Sequence, residues 1–485
     1  MIELKNVTFT YKSALGSGGV SEIDLVIPAG QVVVLCGESG CGKTTLTRLI
    51  NGLIPHCFEG ELSGSVTVGG QNVSAQPLYD TAGLVGSVFQ NPRSQFFNVD
   101  TTSEISFGCE NLGMPRDEIF RRLERTVTVL KIESLLDRSI FELSGGEKQK
   151  IACAGAFMME PQVFVLDEPS SNLDADSILD LRGTVAYMKS LGKTVVLSEH
   201  RLYYLRGVAD RYIYMKEGRI CGDYTADEFD RIPDAERKAM GLRANSLDSL
   251  TVGEGSSGSG RTARLKNFRF AYKNAAETLH ISGADIPYGG IAAVIGHNGA
   301  GKSTFSRCFC GLERRCGTVI ADGTELRPKD RLNRCYMVMQ DVGHQLFTES
   351  VLDEVLISMP EEDEAAARKL LDRLDLTALA ERHPASLSGG QKQRLAIASA
   401  MAAESSVVFL DEPTSGLDHR HMLQTAELLK QLRESGRTVY VITHDPELIC
   451  ECCTDVIHLE VGAIAECYPM DGAGLEKIRE FFRIS

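Results

Sequence analysis

The sequence predicts an α/β fold built on parallel sheets and present twice in one chain. Three observations carry this expectation. Short continuous apolar runs, QVVVLCG and VFVLD in the first half and IAAVIG and VVFLD in the second, have the composition of strands buried on both faces. The first run of each half is followed by a glycine-rich turn and then by a segment of helical spacing, KTTLTRLING or KSTFSRCFCG. The whole order of segments also recurs. FTYK returns as FAYK, GESGCGKTT as GHNGAGKST, LSGGEKQK as LSGGQKQR, VFVLDEPSSNLD as VVFLDEPTSGLD, and VVLSEH as VYVITH.

The spacing of the repeat defines the domains. Ser144 and Ser388, Glu168 and Glu412, and His200 and His444 share one offset of 244 residues, whereas upstream pairs such as Lys43 and Lys302 are further apart. Insertions are therefore expected between the glycine-rich turn and LSGG, where loops absorb them. The stretch from Arg243 to Arg264 is polar and rich in Gly and Ser, and reads as a flexible linker. We expect domains at 1–242 and 262–485, joined by residues 243–261, with no third domain for a separate chemistry.

Composition narrows the class. At 485 residues with 43% hydrophobic and 24% charged, the chain can bury proper cores. Lys plus Arg is 51 against 66 Asp plus Glu, a net charge of -15, and no basic stripe stands out, which argues against a nucleic-acid partner. The 14 Cys are scattered, as expected of small buried hydrophobes in a reducing compartment. Cys450, Cys452 and Cys453 lack a second pair at zinc-like spacing. The start, MIELKNVTFTYK, is not a signal peptide, and no apolar run reaches the ~18 residues a span needs, so work at a membrane is expected to go through a partner.

The two glycine-rich turns, Gly37-Glu38-Ser39-Gly40-Cys41-Gly42-Lys43-Thr44 and Gly296-His297-Asn298-Gly299-Ala300-Gly301-Lys302-Ser303, fit G-x-x-x-x-G-K-[ST] in full. Glycines let successive N–H groups curl around phosphate oxygens, and the following helix, entered through Thr45 or Thr304, adds its positive end. Lys43 and Lys302 suit the β- and γ-phosphates of ATP, and the Thr44 and Ser303 hydroxyls suit Mg²⁺. Asp167 and Asp411 end apolar strands, where a carboxylate would hold the metal's shell. Glu168 and Glu412 follow and could polarise an attacking water, help worth ~10²–10⁴-fold. Gln90 and Gln340 also follow strands and are expected at the metal or its water. His200 and His444 end the next strands and are expected at the γ-phosphate. Tyr11 and Tyr272 lie upstream and could stack on adenine.

Together these motifs resemble the ATP-binding-cassette (ABC) superfamily, and LSGGEKQK and LSGGQKQR are similar to its signature. The resemblance covers essentially the whole chain. It implies two tandem P-loop NTPase cassettes, each a RecA-like core with an antiparallel β subdomain and a helical subdomain carrying the signature. It also implies head-to-tail pairing, in which each ATP lies between the phosphate loop of one cassette and the signature of the other. Ser388, Gly389, Gly390 and Gln391 would then serve the Lys43 site, and Ser144, Gly145, Gly146 and Glu147 the Lys302 site. Ser171 to Asp174 and Ser415 to Asp418 resemble the D-loops crossing that interface. Both halves keep the Glu and the His, which implies two hydrolytic sites. Glu147, Lys150 and Asn172 depart from the usual Gln, Arg and D-loop residue, so a weaker Lys302 site is expected.

A finer resemblance is to the ATPases of energy-coupling factor (ECF) importers. It rests on NGLIPHCFEGELSG (Asn51 to Gly64), QNPRSQFFN (Gln90 to Asn98), FGCENLGM (Phe107 to Met114) and QDVGHQLFTESVLDEV (Gln340 to Val355). It implies docking on a separate transmembrane T-type subunit, a separate S-type subunit that captures a vitamin or metal ion, and a peripheral place on the cytoplasmic face of the cell membrane. Phe96, Phe97 and Phe347 are the expected dock-side aromatics. The competing expectations are the ATPase of a conventional ABC importer or exporter, and a soluble tandem protein acting on ribosomes or nucleic acid. A basic helical segment between the halves would favour the latter, but the sequence has a Gly/Ser stretch there.

Overall fold

The computed structural model describes residues 1–12, 18–171, 173–253, 258, 260–273 and 276–482. Asn172 and most of the Gly/Ser run at 254–259 lie outside the described residues. The chain divides into two compact units, one holding Met1–Ser249 and the other beginning at Leu250. The division falls inside the stretch read as linker, but much of that stretch is engaged. Leu247 packs on the first unit's core and the Asn245 amide donates to Asp230, while Gly253 N–H donates to Cys450 O in the second unit.

In the first unit a six-stranded sheet runs, edge to edge, Arg219–Thr225, Arg211–Lys216, Val32–Cys36, Thr194–Ser198, Val163–Asp167 and Val85–Val88. All neighbours are parallel except the first pair. The three central strands are buried at every position, which is why they read as unbroken apolar runs. Parallel pairing needs crossovers, and helices such as Lys43–Ile50 and Ala175–Ser190 supply them. A four-stranded antiparallel sheet, Gly19–Ile27, Ile2–Tyr11, Gly60–Val68 and Gln71–Asn72, covers the phosphate-loop helix from the other side. A third layer of helices, Thr101–Asn111, Arg116–Leu130 and Gly145–Met158, has its own core of Ile105, Cys109, Val127, Leu143, Ile151 and Met158.

The second unit repeats this plan. Its six-stranded order is Cys335–Val338, Val407–Asp411, Thr438–Ile442, Ile291–Ile295, Asp455–Glu460 and Ala463–Pro469, and its antiparallel sheet is built on Arg261–Ala271 and Glu277–Tyr288. Phe305 and Phe309 of the phosphate-loop helix pack on Phe409 and Tyr440 of the sheet, with ring centroids 4.7 to 6.3 Å apart between neighbours. Cys450, Cys452 and Cys453 are buried at the end of the helix Pro446–Cys452, and no cluster able to hold a metal is found among the described residues. Also among these residues, no helix is long and apolar enough to cross a membrane.

The consequence for chemistry is positional. Adjacent parallel strands end together, so Gly37, Glu168, Glu199 and Phe89 emerge at one sheet edge. Ligands bind at that carboxyl edge in open α/β sheets.

Candidate functional site

Each phosphate loop opens on a glycine with no room for a side chain. Gly37 has φ 147°, and a Cβ on it would lie 2.2 Å from Met215 O. Gly296 has φ 151° and would meet Leu459 O at 2.3 Å. The helices that follow, Lys43–Ile50 and Lys302–Phe309, start at Gly42 and Gly301 in left-handed conformation and receive no side-chain cap. Their first N–H groups are therefore left for another acceptor, which is the electrostatic requirement of a phosphate site. The lysines turn back on the loop. Lys43 Nζ donates to Gly37 O (2.9 Å) and Glu38 O (3.0 Å), and Lys302 Nζ to Gly296 O (2.7 Å) and His297 O (3.0 Å).

In each unit the hydroxyl after the lysine meets a carboxylate. The Thr44 hydroxyl donates to Asp167 (3.2 Å) and the Ser303 hydroxyl to Asp411 (3.1 Å). Burial pushes both aspartic acids up from the usual range, against hydrogen bonds from those hydroxyls. Glu168 moves the other way. Burial alone would raise it, but the hydrogen bond and charge of His200, the Lys43 charge and the Gln90 amide outweigh burial and hold it below the usual range. Two neighbouring carboxyls pushed apart in this manner can take different roles. Glu168 and Glu412 both sit at positive φ, 45° and 51°, a strained conformation of the kind that collects at functional sites. In each unit the histidine Nε2 faces the glutamate, at 3.3 Å for His200–Glu168 and 3.6 Å for His444–Glu412.

The glutamines differ. Gln90 Nε2 donates to Glu168 (2.7 Å), whereas Gln340 is exposed with no side-chain hydrogen bond among the described residues. Tyr11 and Tyr272 each lie 3.2 Å from a threonine hydroxyl of the phosphate-loop helix, Thr45 or Thr304, and Arg48 donates to the Tyr11 hydroxyl. The tyrosines therefore stand beside the loop.

Ser144 and Ser388 cap the helices Gly145–Met158 and Gly389–Ala402. Each helix has a reciprocal capping box, closed by Glu147 in the first unit (Ser144 N–H to Glu147, 2.7 Å) and by Gln391 in the second (2.9 Å). Glu147, read from the sequence as a weakening departure, thus fills the same structural place as Gln391. Arg138 lies 2.8 Å from its carboxylate. Lys150 pairs with Asp180. Among the described residues no hydrogen bond joins Ser144 or Ser388 to the phosphate loop of its own unit.

Sequence reasoning missed three features. The Ser198 hydroxyl donates to Asp167. Glu199 and Arg201, flanking His200, are buried at the sheet edge. Finally, the segment after each glutamine is pinned by a buried glutamate. Glu104 accepts from the N–H groups of Phe97 (3.0 Å) and Asn98 (2.7 Å), and Glu354 from those of Phe347 and Thr348 (both 3.1 Å). Each turn presents one aromatic outward: Phe97 is 77% and Phe347 72% exposed, and Phe97 stacks on Phe107 with centroids 5.1 Å apart. Phe96, expected beside Phe97, instead packs inward, because successive residues of the extended segment face opposite ways.

The residues present fit a magnesium-bound nucleoside triphosphate. Each loop leads into a helix N-terminus with no side-chain cap, and each hydroxyl–carboxylate pair offers the hard oxygen donors that Mg²⁺ prefers. Comparison with known proteins agrees. A family model described as ABC transporter matches residues 20–171 and 283–415. A Treponema denticola protein provisionally named as an ABC transporter ATP-binding protein is 46% identical over 96% of each chain, and a second from the same organism is 39% identical over 98% of each. Among solved structures, an archaeal ABCE1 bound with Pelota on the ribosome has a TM-score of 0.72 at 21% identity, covering 98% of this chain and 80% of that one. Archaeal ABCE1 with the stalk protein aP1 has a TM-score of 0.67 at 21%, covering 98% and 92%. With both cassettes matched and the phosphate loop, carboxylate pair and histidine assembled in each unit, the chain belongs to the ABC transporter family as an ATP-binding, ATP-hydrolysing protein with two fused cassettes.

Proposed function

We propose that this chain energises a membrane transporter of the ECF type, docking from the cytoplasm on a separate transmembrane T-type subunit while a separate S-type subunit captures a vitamin or metal ion. The observation that supports this best is the pair of pinned turns. A ring more than two-thirds exposed, held on a turn fixed by a buried carboxylate next to the candidate nucleotide site, is apolar area awaiting a protein partner. It occurs in both units at the same place after the glutamine.

In this reading Lys43 and Lys302 neutralise the β- and γ-phosphates. Thr44, Asp167 and Gln90, and Ser303, Asp411 and Gln340, hold Mg²⁺, partly through water. Glu168 and Glu412 orient and polarise the attacking water, and His200 and His444 contact the γ-phosphate. Tyr11 and Tyr272 face adenine. Ser144, Gly145, Gly146 and Glu147, and Ser388, Gly389, Gly390 and Gln391, bind the γ-phosphate through hydroxyl and N–H groups, and ATP draws the two cassettes closed. Glu168 is ionised and a weak base, so its contribution is mainly to orient water and stabilise charge.

The test is co-purification from membranes. Wild type is expected with a small integral membrane protein in stoichiometric yield, and Phe97→Asp/Phe347→Asp without it, at unchanged basal ATP turnover. Ribosomes in place of a membrane protein would establish the soluble alternative. The ABCE1 likeness concerns the fold and favours neither outcome.

A further inference from the structure

The residues flanking the two histidines differ between the units. The first unit has Ser198-Glu199-His200-Arg201 where the second has Ile442-Thr443-His444-Asp445. The buried carboxylate stands before the histidine in one and after it in the other, yet both histidines end at similar distances from their glutamates.

Glu199 is buried and surrounded by donors. One of its oxygens accepts from the Ser170 N–H (3.1 Å) and the Tyr204 hydroxyl (2.7 Å), the other from the Ser170 hydroxyl (2.9 Å) and the His200 N–H (3.0 Å). Arg201 grips the same turn from the other side, donating to Ser170 O (3.5 Å) and Leu173 O (3.4 Å). Ser170 lies two residues beyond Glu168, and Glu168 N–H already donates to Ser198 O (2.9 Å). In the second unit Asp445 accepts from the Thr414 hydroxyl (2.8 Å), Thr414 being the counterpart of Ser170, and its other oxygen caps the next helix through the N–H groups of Glu447 and Leu448.

We propose that Glu199 is a positioning residue of the first site: its carboxyl group staples the turn after Glu168 to the segment carrying His200, and so fixes the Glu168–His200 separation that Asp445 fixes in the second unit from the opposite side of its histidine. The proposal rests on Glu168 and His200 acting as assigned above. Those assignments fail if Glu168→Gln turns over ATP normally, whereas the staple is tested by variants that leave both residues in place.

Glu199→Gln is the sharp variant. Each oxygen of Glu199 faces one backbone N–H, which cannot rotate away. Either orientation of a glutamine amide therefore sets its NH₂ against a fixed donor. Misplacing a reacting group by ~1 Å can cost ~10²-fold in rate. Steady-state ATPase of the full chain is measured in a Glu412→Gln background where that background turns over. Otherwise it is measured in wild type, because coupled sites show a first-site lesion in full. Glu199→Gln is expected to lower kcat at least ~10-fold with ATP KM within ~3-fold, the pattern of an interaction realised in the transition state. The triple exchange Ser170→Thr/Glu199→Thr/Arg201→Asp, which copies the second unit, is expected to return kcat to within ~3-fold of its background. Ser170→Ala, a minimal change that removes one donor, is expected to lower kcat by a few-fold at constant KM. Wild-type kcat in both Glu199→Gln and Ser170→Ala would overturn the proposal, and so would a folded exchange variant that stays as slow as Glu199→Gln.

Discussion

Arg331→Met is a perturbation whose cost can be worked from the structure. Arg331 is fully buried, on the short helix Pro328–Leu332. Its guanidinium donates to four main-chain carbonyls: Gly317 (3.1 Å), Leu326 (2.9 Å), Cys308 (3.0 Å) and Cys316 (3.2 Å). Cys308 O belongs to the last turn of the phosphate-loop helix, where it also accepts from the Gly311 N–H (3.1 Å). The arginine thus caps that helix and ties it to the antiparallel sheet, with Phe268 stacked 5.4 Å away. Methionine fills similar volume but takes a donor from each carbonyl, at ~1–3 kcal/mol for each left with no other donor. Relief of guanidinium desolvation offsets part of this, giving a net loss of ~3 kcal/mol. For a unit of this size each kcal/mol moves Tm by ~2–4 °C, so the second unit's transition should fall by ~10 °C in differential scanning calorimetry. Arg331→Lys should not rescue it, since one ammonium cannot reproduce a planar fork spanning both pairs of acceptors. A shift under ~2 °C, or full rescue by lysine, would refute the reasoning.

Gly37→Ala should abolish ATP binding at the first site, read by titration with a fluorescent nucleotide, because its Cβ would overlap Met215 O. Ser144→Ala should cost ~1 kcal/mol through loss of the cap, while Glu147→Gln, which copies the second unit's capping box, should stay within ~0.5 kcal/mol in urea denaturation. Burial raises the Glu199 carboxyl from 4.5 to about 7. A raised carboxyl gives stability that is complete below pH 4.5 and lost as pH rises through about 7, ~3 kcal/mol in all at 1.36 kcal/mol per unit. The Tm advantage of wild type over Glu199→Gln should therefore shrink between pH 5 and pH 8, and parallel Tm curves would exclude that shift.

What the sequence disclosed and what it withheld divide along a physical line. The phosphate loops were legible because their constraint is local. Only glycine accepts the backbone of Gly37 and Gly296, and only a strand on one side and a helix on the other give such a loop its aim. The Asp167–Glu168 and Asp411–Glu412 pairs were legible for the same reason, each closing a run of buried β residues. The capping boxes were written in S-x-x-E and S-x-x-Q, yet Glu147 read as a departure because a motif compares residues by identity, whereas the helix end asks only for an oxygen at its third position. Arg331, Glu199, Arg201 and the glutamates behind Phe97 and Phe347 were illegible one by one. A charged residue in a polar segment looks solvated until the chain brings its partners from elsewhere: Cys308 lies 23 residues from Arg331, and Ser170 lies 29 from Glu199. Glu199 and Arg201 are also where the two units differ in sequence while keeping their geometry. Gln90 bonds Glu168 whereas Gln340 makes no side-chain hydrogen bond among the described residues, but the His–Glu distances differ by only a few tenths of an ångström. In the proposed reading, a contact held to that tolerance by unlike supports in the two halves is itself what ATP hydrolysis requires, and the residues supporting it are interchangeable.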